Sequence, residues 1–122
     1  MKLKLISVKE KDAAFKKIVT ITTDTTKFMN IELGGVVIGC IEYNIDERNL
    51  TIYTIEIFIE LQRQGHGTNA IKLLIEHYKA LQMKVINANE NHEYFWDQFG
   101  KIINSKPVED DEGFDYTIAI SI

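Results

Sequence analysis

Three consecutive apolar runs in the first half of the chain restrict its fold more than any other feature of the sequence. The runs read FMNIEL, VVIGCIEYNI and LTIYTIEIFI, and they are separated by Gly34-Gly35 and by the residues DERN. Such runs are typical of strands, and the separating glycine, asparagine and aspartate residues favour turns. The sequence therefore predicts an antiparallel three-stranded meander.

The segments around this meander predict further strands and two helices. KLKLISV, MKVINA and the closing FDYTIAISI predict strands, KEKDAAFKKI is compatible with a short helix, and VTITT favours extended structure. ENHEYFWDQFG predicts a helix that is closed by Gly100. Another helix is predicted over 68–81, with an apolar face made of Ile71, Leu74, Ile75, Tyr78 and Leu81. This order predicts one α/β domain over residues 1–122, with a mixed, mostly antiparallel sheet flanked by helices.

Composition and charge argue against several other classes of protein. The 122 residues are 45% hydrophobic and 26% charged, as in an ordinary globular domain. No apolar run approaches the roughly 18 to 20 residues of a membrane helix, and the N-terminus lacks the apolar core of a signal peptide, so we expect no membrane partner. The net charge of −4 argues against non-specific nucleic-acid binding.

Cys40 is the only cysteine, so an intramolecular disulfide is impossible and a cytoplasmic location is the expectation. Because Cys40 lies in an apolar run, we predict an inert core thiol. We also expect no bound metal, and either a monomer or a homodimer.

The segment QRQGHG joins the third apolar run to the predicted helix over 68–81. Gly65 and Gly67 remove Cβ atoms, so a ligand can approach the backbone closely. The first N–H groups of the following helix have no partner within it and lie at the positive end of its dipole. The segment therefore suits an anion such as a pyrophosphate, although a plain strand-to-helix turn is the alternative. It matches neither the dinucleotide-binding G-x-G-x-x-G pattern nor a P-loop.

Gln62, Gly65 and Gly67 match Q/R-x-x-G-x-G/A, and in this setting the chain resembles the GCN5-related N-acetyltransferase (GNAT) superfamily. A second signature of that superfamily is an asparagine before a helix that ends in an aromatic pair and a glycine. The corresponding residues here are Asn89, Phe95, Trp96 and Gly100. The resemblance covers roughly Met29 to Ile122, and the shorter N-terminal part implies abbreviated helices around the acceptor pocket.

This resemblance implies an enzyme that transfers an acetyl group from acetyl-CoA to a primary amine by direct attack. The amine would belong to a protein lysine or N-terminus, or to a small molecule. The sheet would splay at its centre, and acetyl-CoA would lie in the slot between LTIYTIEIFI and MKVINA. The implied pyrophosphate-binding residues are Gln64, Gly65, His66, Gly67, Thr68 and Asn69.

The same resemblance assigns the rest of the cosubstrate. Asn89 would hold the pantetheine arm, and the pantetheine amides would pair with the backbone of Ile57, Phe58 and Ile59. The N–H group of Ile57 would polarise the thioester carbonyl as a one-donor oxyanion hole.

Trp96 is expected to line the acetyl-CoA slot, and it departs from the superfamily pattern. Many members have a tyrosine there, which is thought to protonate the leaving thiolate, and an indole N–H group is no usable acid. His92 shares the helix face of Trp96 and is an alternative donor, or else a plain surface residue. The departure keeps a second function open: a catalytically weak or inactive CoA-binding regulatory module.

Glu56 interrupts the third apolar run, and a carboxylate there must be paired or lie beside solvent. If the strand bulges where the sheet splays, Glu56 would face the slot and act as the base through a water molecule. An ordinary pairing to a lysine of a neighbouring element is the alternative. Tyr53 and Thr51 lie on the opposite alternation of the strand, and Tyr53 is a candidate catalytic residue on the acceptor side. The acidic segment VEDDEGFD is a solvated loop or, alternatively, attracts a cationic amine.

Overall fold

The computed structural model describes residues 2–15, 26–89, 93–108 and 113–121, without the side chains of Asn87 and Asn89. Within these ranges there are two α-helices, α1 (His66–Tyr78) and α2 (Glu93–Asp97), and two 3₁₀ turns, Glu10–Asp12 and Ile59–Leu61. The strands are β1 (Leu3–Val8), β2 (Lys27–Leu33), β3 (Val36–Asp46), β4 (Asn49–Ile57), β5 (Gln82–Asn89), β6 (Gly100–Pro107) and β7 (Gly113–Ile120).

The seven described strands form one sheet in the order β1-β2-β3-β4-β5-β7-β6. β4 and β5 pair in parallel, and the other described neighbours pair antiparallel. Strands β2 to β4 are the predicted meander. The predicted α/β class with a mixed, mostly antiparallel sheet is therefore confirmed.

The main apolar core lies on the face of the sheet that α1 covers, which we call the α1 face. Tyr43 of β3 reaches Tyr78 of α1 from this face, with 5.7 Å between the ring centroids. The core consists of buried side chains of the helix and of the strands beneath it, including Ile31, Ile41, Leu50, Ile52, Ile71, Leu74, Met83 and Ile118. These residues follow the period of about 3.6 on the helix and of two on the strands.

Residues 12–15 cover part of the opposite face, which we call the second face. The Asn30 side chain accepts a hydrogen bond from the Ala14 N–H group (2.9 Å) and donates one to the Asp12 carbonyl oxygen (3.0 Å). Asn30 pairs with Cys40 across β2 and β3, so both side chains lie on this face. Cys40 is fully buried, and burial is the main reason that its pKa is raised to about 11. The prediction that Cys40 is a buried core thiol is confirmed.

The predicted helix over 68–81 has different ends in the structure. It begins at His66, because Gly65 takes a left-handed conformation (φ 81°) that starts the helix directly after it. It ends at Tyr78, because Lys79 is again left-handed (φ 51°). Leu81 therefore lies outside the helix and is 57% exposed, so its prediction as part of the apolar face was wrong.

Other boundaries also differ from the sequence prediction. Strand β6 was not predicted, because its polar second half, NSKP, hides the alternation of an edge strand. Helix α2 ends at Asp97, and Gly100 begins β6 instead of closing the helix. Within KEKDAAFKKI the described part contains only the 3₁₀ turn Glu10–Asp12, and VTITT lies outside the described residues. Neither α-helix of the described segments has the length and apolar character that a bilayer-spanning helix requires.

Candidate active site

The sheet opens between β4 and β5. The two strands pair only from Asn49–Gln82 to Ile52–Val85, although β4 continues to Ile57 and β5 to Asn89. The pairing stops at a β-bulge in β4, where Tyr53 has no partner between the pairs Tyr43–Ile52 and Glu42–Thr54. A bulge strengthens the local twist of a strand, which turns the end of β4 away from β5.

A cavity of about 610 Å³ lies at this opening, and we call it the central cavity. Ile57 pairs with Gly39 and Ile55 with Ile41, so both isoleucine side chains lie on the α1 face. Glu56 lies between them in sequence and therefore on the second face. All three β4 residues line the cavity, which lies where β4 leaves β5.

The end of β4 presents backbone groups to this gap. The Phe58 N–H group donates to the Ile38 carbonyl oxygen of β3 over 2.8 Å. Successive residues of a strand direct their N–H and C=O groups to opposite sides. Because the Phe58 N–H group points toward β3, the N–H group of Ile57 points away from β3, toward the gap. The Ile57 carbonyl oxygen accepts a 2.8 Å hydrogen bond from Gln62 Nε2.

The segment Gln62–Gly65 leads directly into α1. Arg63 and Gly65 are both left-handed (φ 64° and 81°), and the Asn69 N–H group makes the first helical bond to the Gly65 carbonyl oxygen (3.0 Å). Gly65 provides no side-chain cap. The N–H groups of His66, Gly67 and Thr68 thus lack helical partners at the positive end of the helix dipole, and these residues line the central cavity. The local geometry is that of an anion site.

Helix α2 forms the opposite wall of the cavity. The rings of Phe95 and Trp96 meet edge to face with centroids 4.8 Å apart, and Trp96 is buried. A Cβ atom built on Gly67 would lie 3.6 Å from the Phe95 ring, which is an ordinary contact distance. The glycine loop and α2 therefore pack closely without requiring glycine at position 67 for that packing.

The bulge at Tyr53 changes which β4 side chains share a face. Regular alternation predicted Thr51 and Glu56 on opposite faces. Thr51 pairs with Asn44 before the bulge and Glu56 with Cys40 after it, and both partners lie on the second face. Thr51 and Glu56 are therefore on the same face, and that expectation was wrong because the bulge inserts one residue.

Glu42 is a second carboxylate on this face, and sequence reasoning missed it. It is 1% exposed, and Thr54 Oγ1 donates to its Oε1 atom over 3.2 Å. Burial raises the pKa of Glu42 above its usual 4.5, the Thr54 hydrogen bond opposes that rise, and the charge of Glu10 adds to it. A glutamate inside the apolar run VVIGCIEYNI was the available signal, as it was for Glu56.

The structure brings together most of the predicted site residues around the central cavity. Glu56, Ile57, Gly65, His66, Gly67, Thr68 and Trp96 line it, together with Gln62 and Phe95 of the two sequence motifs and with Ile55, Leu61 and Arg63, which were not predicted. Gln64 and Asn69 are exposed beside the cavity, Ile59 is 80% exposed, and Tyr53 is half-buried in the bulge. The side chain of Asn89, the residue His92 and the acidic residues 109–112 lie outside the described residues.

A model of the acetyltransferase (GNAT) family matches residues 6–101 of the chain. No curated protein sequence matches it. Among solved structures, the ribosomal-protein-S18-alanine N-acetyltransferase from Escherichia coli has a TM-score of 0.72 at 14% identity, covering 99% of this chain and 96% of the other. Arabidopsis thaliana Naa50, in complex with the bisubstrate analogue CoA-Ac-MVNAL, has a TM-score of 0.67 at 13% identity and covers both chains fully.

A GNAT family acetyltransferase from Elizabethkingia anophelis with acetyl-CoA bound is also similar, with a TM-score of 0.60 at 14% identity over 80% of this chain and 77% of the other. At these identities the structural likenesses establish the fold, whereas the family match extends over most of the chain. The chain therefore belongs to the GNAT family of acetyltransferases.

Proposed function

We propose that this protein transfers an acetyl group from acetyl-CoA to a primary amine by direct attack of the amine on the thioester. One observation carries the proposal: a single cavity joins the open backbone at Ile57 to the N-terminus of α1 at Gly65–Thr68. A ligand with a carbonyl at one end and a diphosphate further along fits such a cavity. The acetyl-CoA bound by the Elizabethkingia anophelis relative supports this cosubstrate.

The diphosphate of acetyl-CoA is proposed to lie on the N–H groups of His66, Gly67 and Thr68, with Gln64 and Asn69 beside it. Arg63, which the sequence-based assignment left out, lines the same cavity and adds a positive charge. The pantetheine arm would extend along Ile57, Phe58 and Ile59, with Asn89 as a further contact. The Phe58 N–H group already binds Ile38, so Ile57 supplies the donor that faces the gap.

The Ile57 N–H group is proposed to stabilise the oxyanion that forms when the amine attacks the thioester carbonyl. The amine must lose a proton as the new C–N bond forms, and Glu56 is the proposed base, acting through a water molecule. Its position on the second face of the same cavity supports this role. The acceptor would then approach from the second face and acetyl-CoA from the α1 face, with Tyr53 near the acceptor.

The departing CoA thiolate must gain a proton as the C–S bond breaks. Trp96 lines the cavity, but its indole N–H group is too weak an acid to supply that proton. His92 and solvent are the proposed alternative sources. If proton delivery limits the reaction, the protein acts instead as a slow enzyme or as a CoA-binding regulatory module, which is the alternative function.

Two relatives favour peptides as the first acceptors to examine. One acetylates an alanine of a ribosomal protein, and the other is bound to a peptide-based bisubstrate analogue. The carboxylate residue Glu56, which lines the central cavity, favours an acceptor that carries positive charge.

Two measurements test the proposal. Native mass spectrometry and thermal shift with acetyl-CoA report binding, because a ligand selective for the folded state raises the melting temperature. Thiol release with peptide amines, polyamines and aminosugars reports transfer. Binding with turnover supports the enzyme, binding without turnover on any amine supports the regulatory module, and no binding at all contradicts both.

A further inference from the structure

A second cavity, of about 370 Å³, lies at the opposite end of α1 from the central cavity. We call it the Tyr78 cavity, because Tyr78, the last residue of α1, lines it beside the ends of β1 and β2. α1 begins at His66 in the central cavity and rises about 1.5 Å per residue, which separates its ends by about 18 Å. A ligand of the Tyr78 cavity would therefore lie outside the acetyl-transfer site.

Two tyrosine hydroxyl groups meet at this cavity. The oxygens of Tyr43 and Tyr78 are 2.7 Å apart, and either hydroxyl can be the donor. Two hydroxyl groups carry two protons, and the bond between them uses only one. Across the described segments neither hydroxyl makes another hydrogen bond. Among the described residues the second proton therefore has no acceptor, and both tyrosines line the cavity.

Burial favours the protonated form of the Tyr43 hydroxyl group. Tyr43 is 1% exposed, and burial raises its pKa strongly, with a further rise from the hydrogen bond to Tyr78. A protonated Tyr43 hydroxyl group carries no charge and therefore does not repel an anion. The polar floor of the cavity is thus a hydrogen-bond donor.

The rim of the cavity carries positive charge. Lys9, at the end of β1, and Lys27, at the start of β2, both line it and are exposed. An ammonium group offers three donors and no acceptor, and the Ser7 hydroxyl adds another polar group. Glu10 also lines the cavity, and its charge disfavours a highly charged polyanion.

We propose that the Tyr78 cavity binds a small anion with a carboxylate or phosphate group, held by Lys9 and Lys27 and hydrogen-bonded by the Tyr43–Tyr78 pair. The proposal does not depend on the acetyl-transfer function, because no residue of this cavity belongs to the central cavity. Its position at the far end of α1 makes it a second site on the same domain.

Amide NMR titrations with inorganic phosphate and with succinate test this proposal and distinguish the two anion types. The titrations are done with saturating acetyl-CoA, so that the central cavity is occupied, and at low ionic strength, because salt screens exposed charges. If acetyl-CoA does not bind, the titrations are done instead with the Gly67→Asp variant, whose added carboxylate repels anions from the α1 N-terminus. We expect saturable shifts at Lys9, Lys27 and Tyr78 with one of the two anions, and constant signals at Gly65 to Thr68.

Variants locate the site independently of the shifts. Lys9→Gln with Lys27→Gln should weaken the affinity several-fold, and Tyr78→Phe should weaken it about tenfold, as expected for a hydrogen bond to a charged group. Lys72→Gln, which removes an exposed charge from the middle of α1, is the matched control and should leave the affinity unchanged. The absence of saturation by either anion up to tens of millimolar overturns the proposal, as does equal weakening by the control.

Discussion

The side chain of Gln62 donates a hydrogen bond from Nε2 to the Ile57 carbonyl oxygen over 2.8 Å. It thereby ties the start of the glycine loop to the strand end at which β4 has left β5. Gln62, the first residue of the Q-x-x-G-x-G pattern, thus holds the α1 N-terminus and the open strand backbone at a fixed spacing. Acetyl-CoA is proposed to contact both elements at once.

Breaking this bond should weaken cosubstrate binding more than it weakens the fold. Gln62 is exposed, and a single hydrogen bond contributes about 1 kcal/mol, so Gln62→Ala should lower the melting temperature only slightly. We expect a rise of about fivefold or more in the acetyl-CoA dissociation constant, since one kcal/mol corresponds to that factor. Gln82→Ala, which removes an exposed glutamine side chain outside the central cavity, is the matched control. Equal effects of the two variants would contradict the role given to Gln62.

Substitutions of Gly67 should separate packing from anion binding. A methyl group at this position has room beside Phe95, so Gly67→Ala should fold and keep the thermal shift with acetyl-CoA. Gly67→Asp adds bulk and negative charge where the diphosphate is proposed to lie, and it should abolish the shift. In the parent protein, saturation at about 100 times the dissociation constant adds about 2.7 kcal/mol of stability. An unchanged shift in a folded Gly67→Asp variant would place the diphosphate elsewhere.

Trp96→Tyr should introduce the acid that the superfamily pattern has at this position. We expect the variant to fold and to hold or raise the rate of thiol release measured with Ellman's reagent. Trp96→Phe is the control, because it removes the indole without adding a hydroxyl group. A large loss of activity in Trp96→Tyr would mean that the indole itself is required.

Glu56→Gln should test the water-linked base. The variant keeps the size and hydrogen-bonding capacity of the side chain, so the fold should survive. The expected loss is about 10²-fold or more in kcat, the usual size for general base catalysis. The rise of rate with pH that this mechanism predicts for the parent protein should also disappear. A rate within a few-fold of the parent with the same pH profile would return Glu56 to a structural role.

Glu42 should make the stability of the folded protein fall as pH rises, which is opposite to the effect of most carboxylates. Because its pKa is raised in the folded state, the folded protein binds the proton more tightly than the unfolded chain does. Its contribution is therefore most favourable below the unfolded pKa near 4.5 and declines as pH rises toward the folded pKa. The melting temperature of Glu42→Gln minus that of the parent should therefore increase as pH rises above about 4.5.

Thermal melts across this pH range measure the effect, with Glu76→Gln as the control because Glu76 is exposed on α1. Parallel melting curves for Glu42→Gln and the parent at every pH would show that Glu42 does not titrate as proposed.

The sequence alone determined the features that depend on neighbouring residues. The meander follows from period-two runs and turn residues, the buried face of α1 from its helical period, and the glycine loop from the residues between them. Burial of Cys40 was equally visible, because the residues around it, VVIG and Ile41, are apolar or glycine. Strand β6 was missed for the same local reason, since half of its residues are polar.

The tertiary structure decided what depends on the register between strands that are distant in sequence. The bulge at Tyr53 places Thr51 and Glu56 on one face, and no period in a single strand reveals an unpaired residue. The hydroxyl pair of Tyr43 and Tyr78 joins a strand to a helix end 35 residues later. The hydrogen bond from Thr54 to buried Glu42 likewise depends on the pairing of β3 with β4. Side-chain chemistry is encoded locally, but which groups meet is set by long-range packing, because a one-residue change of register exchanges the two faces of a sheet.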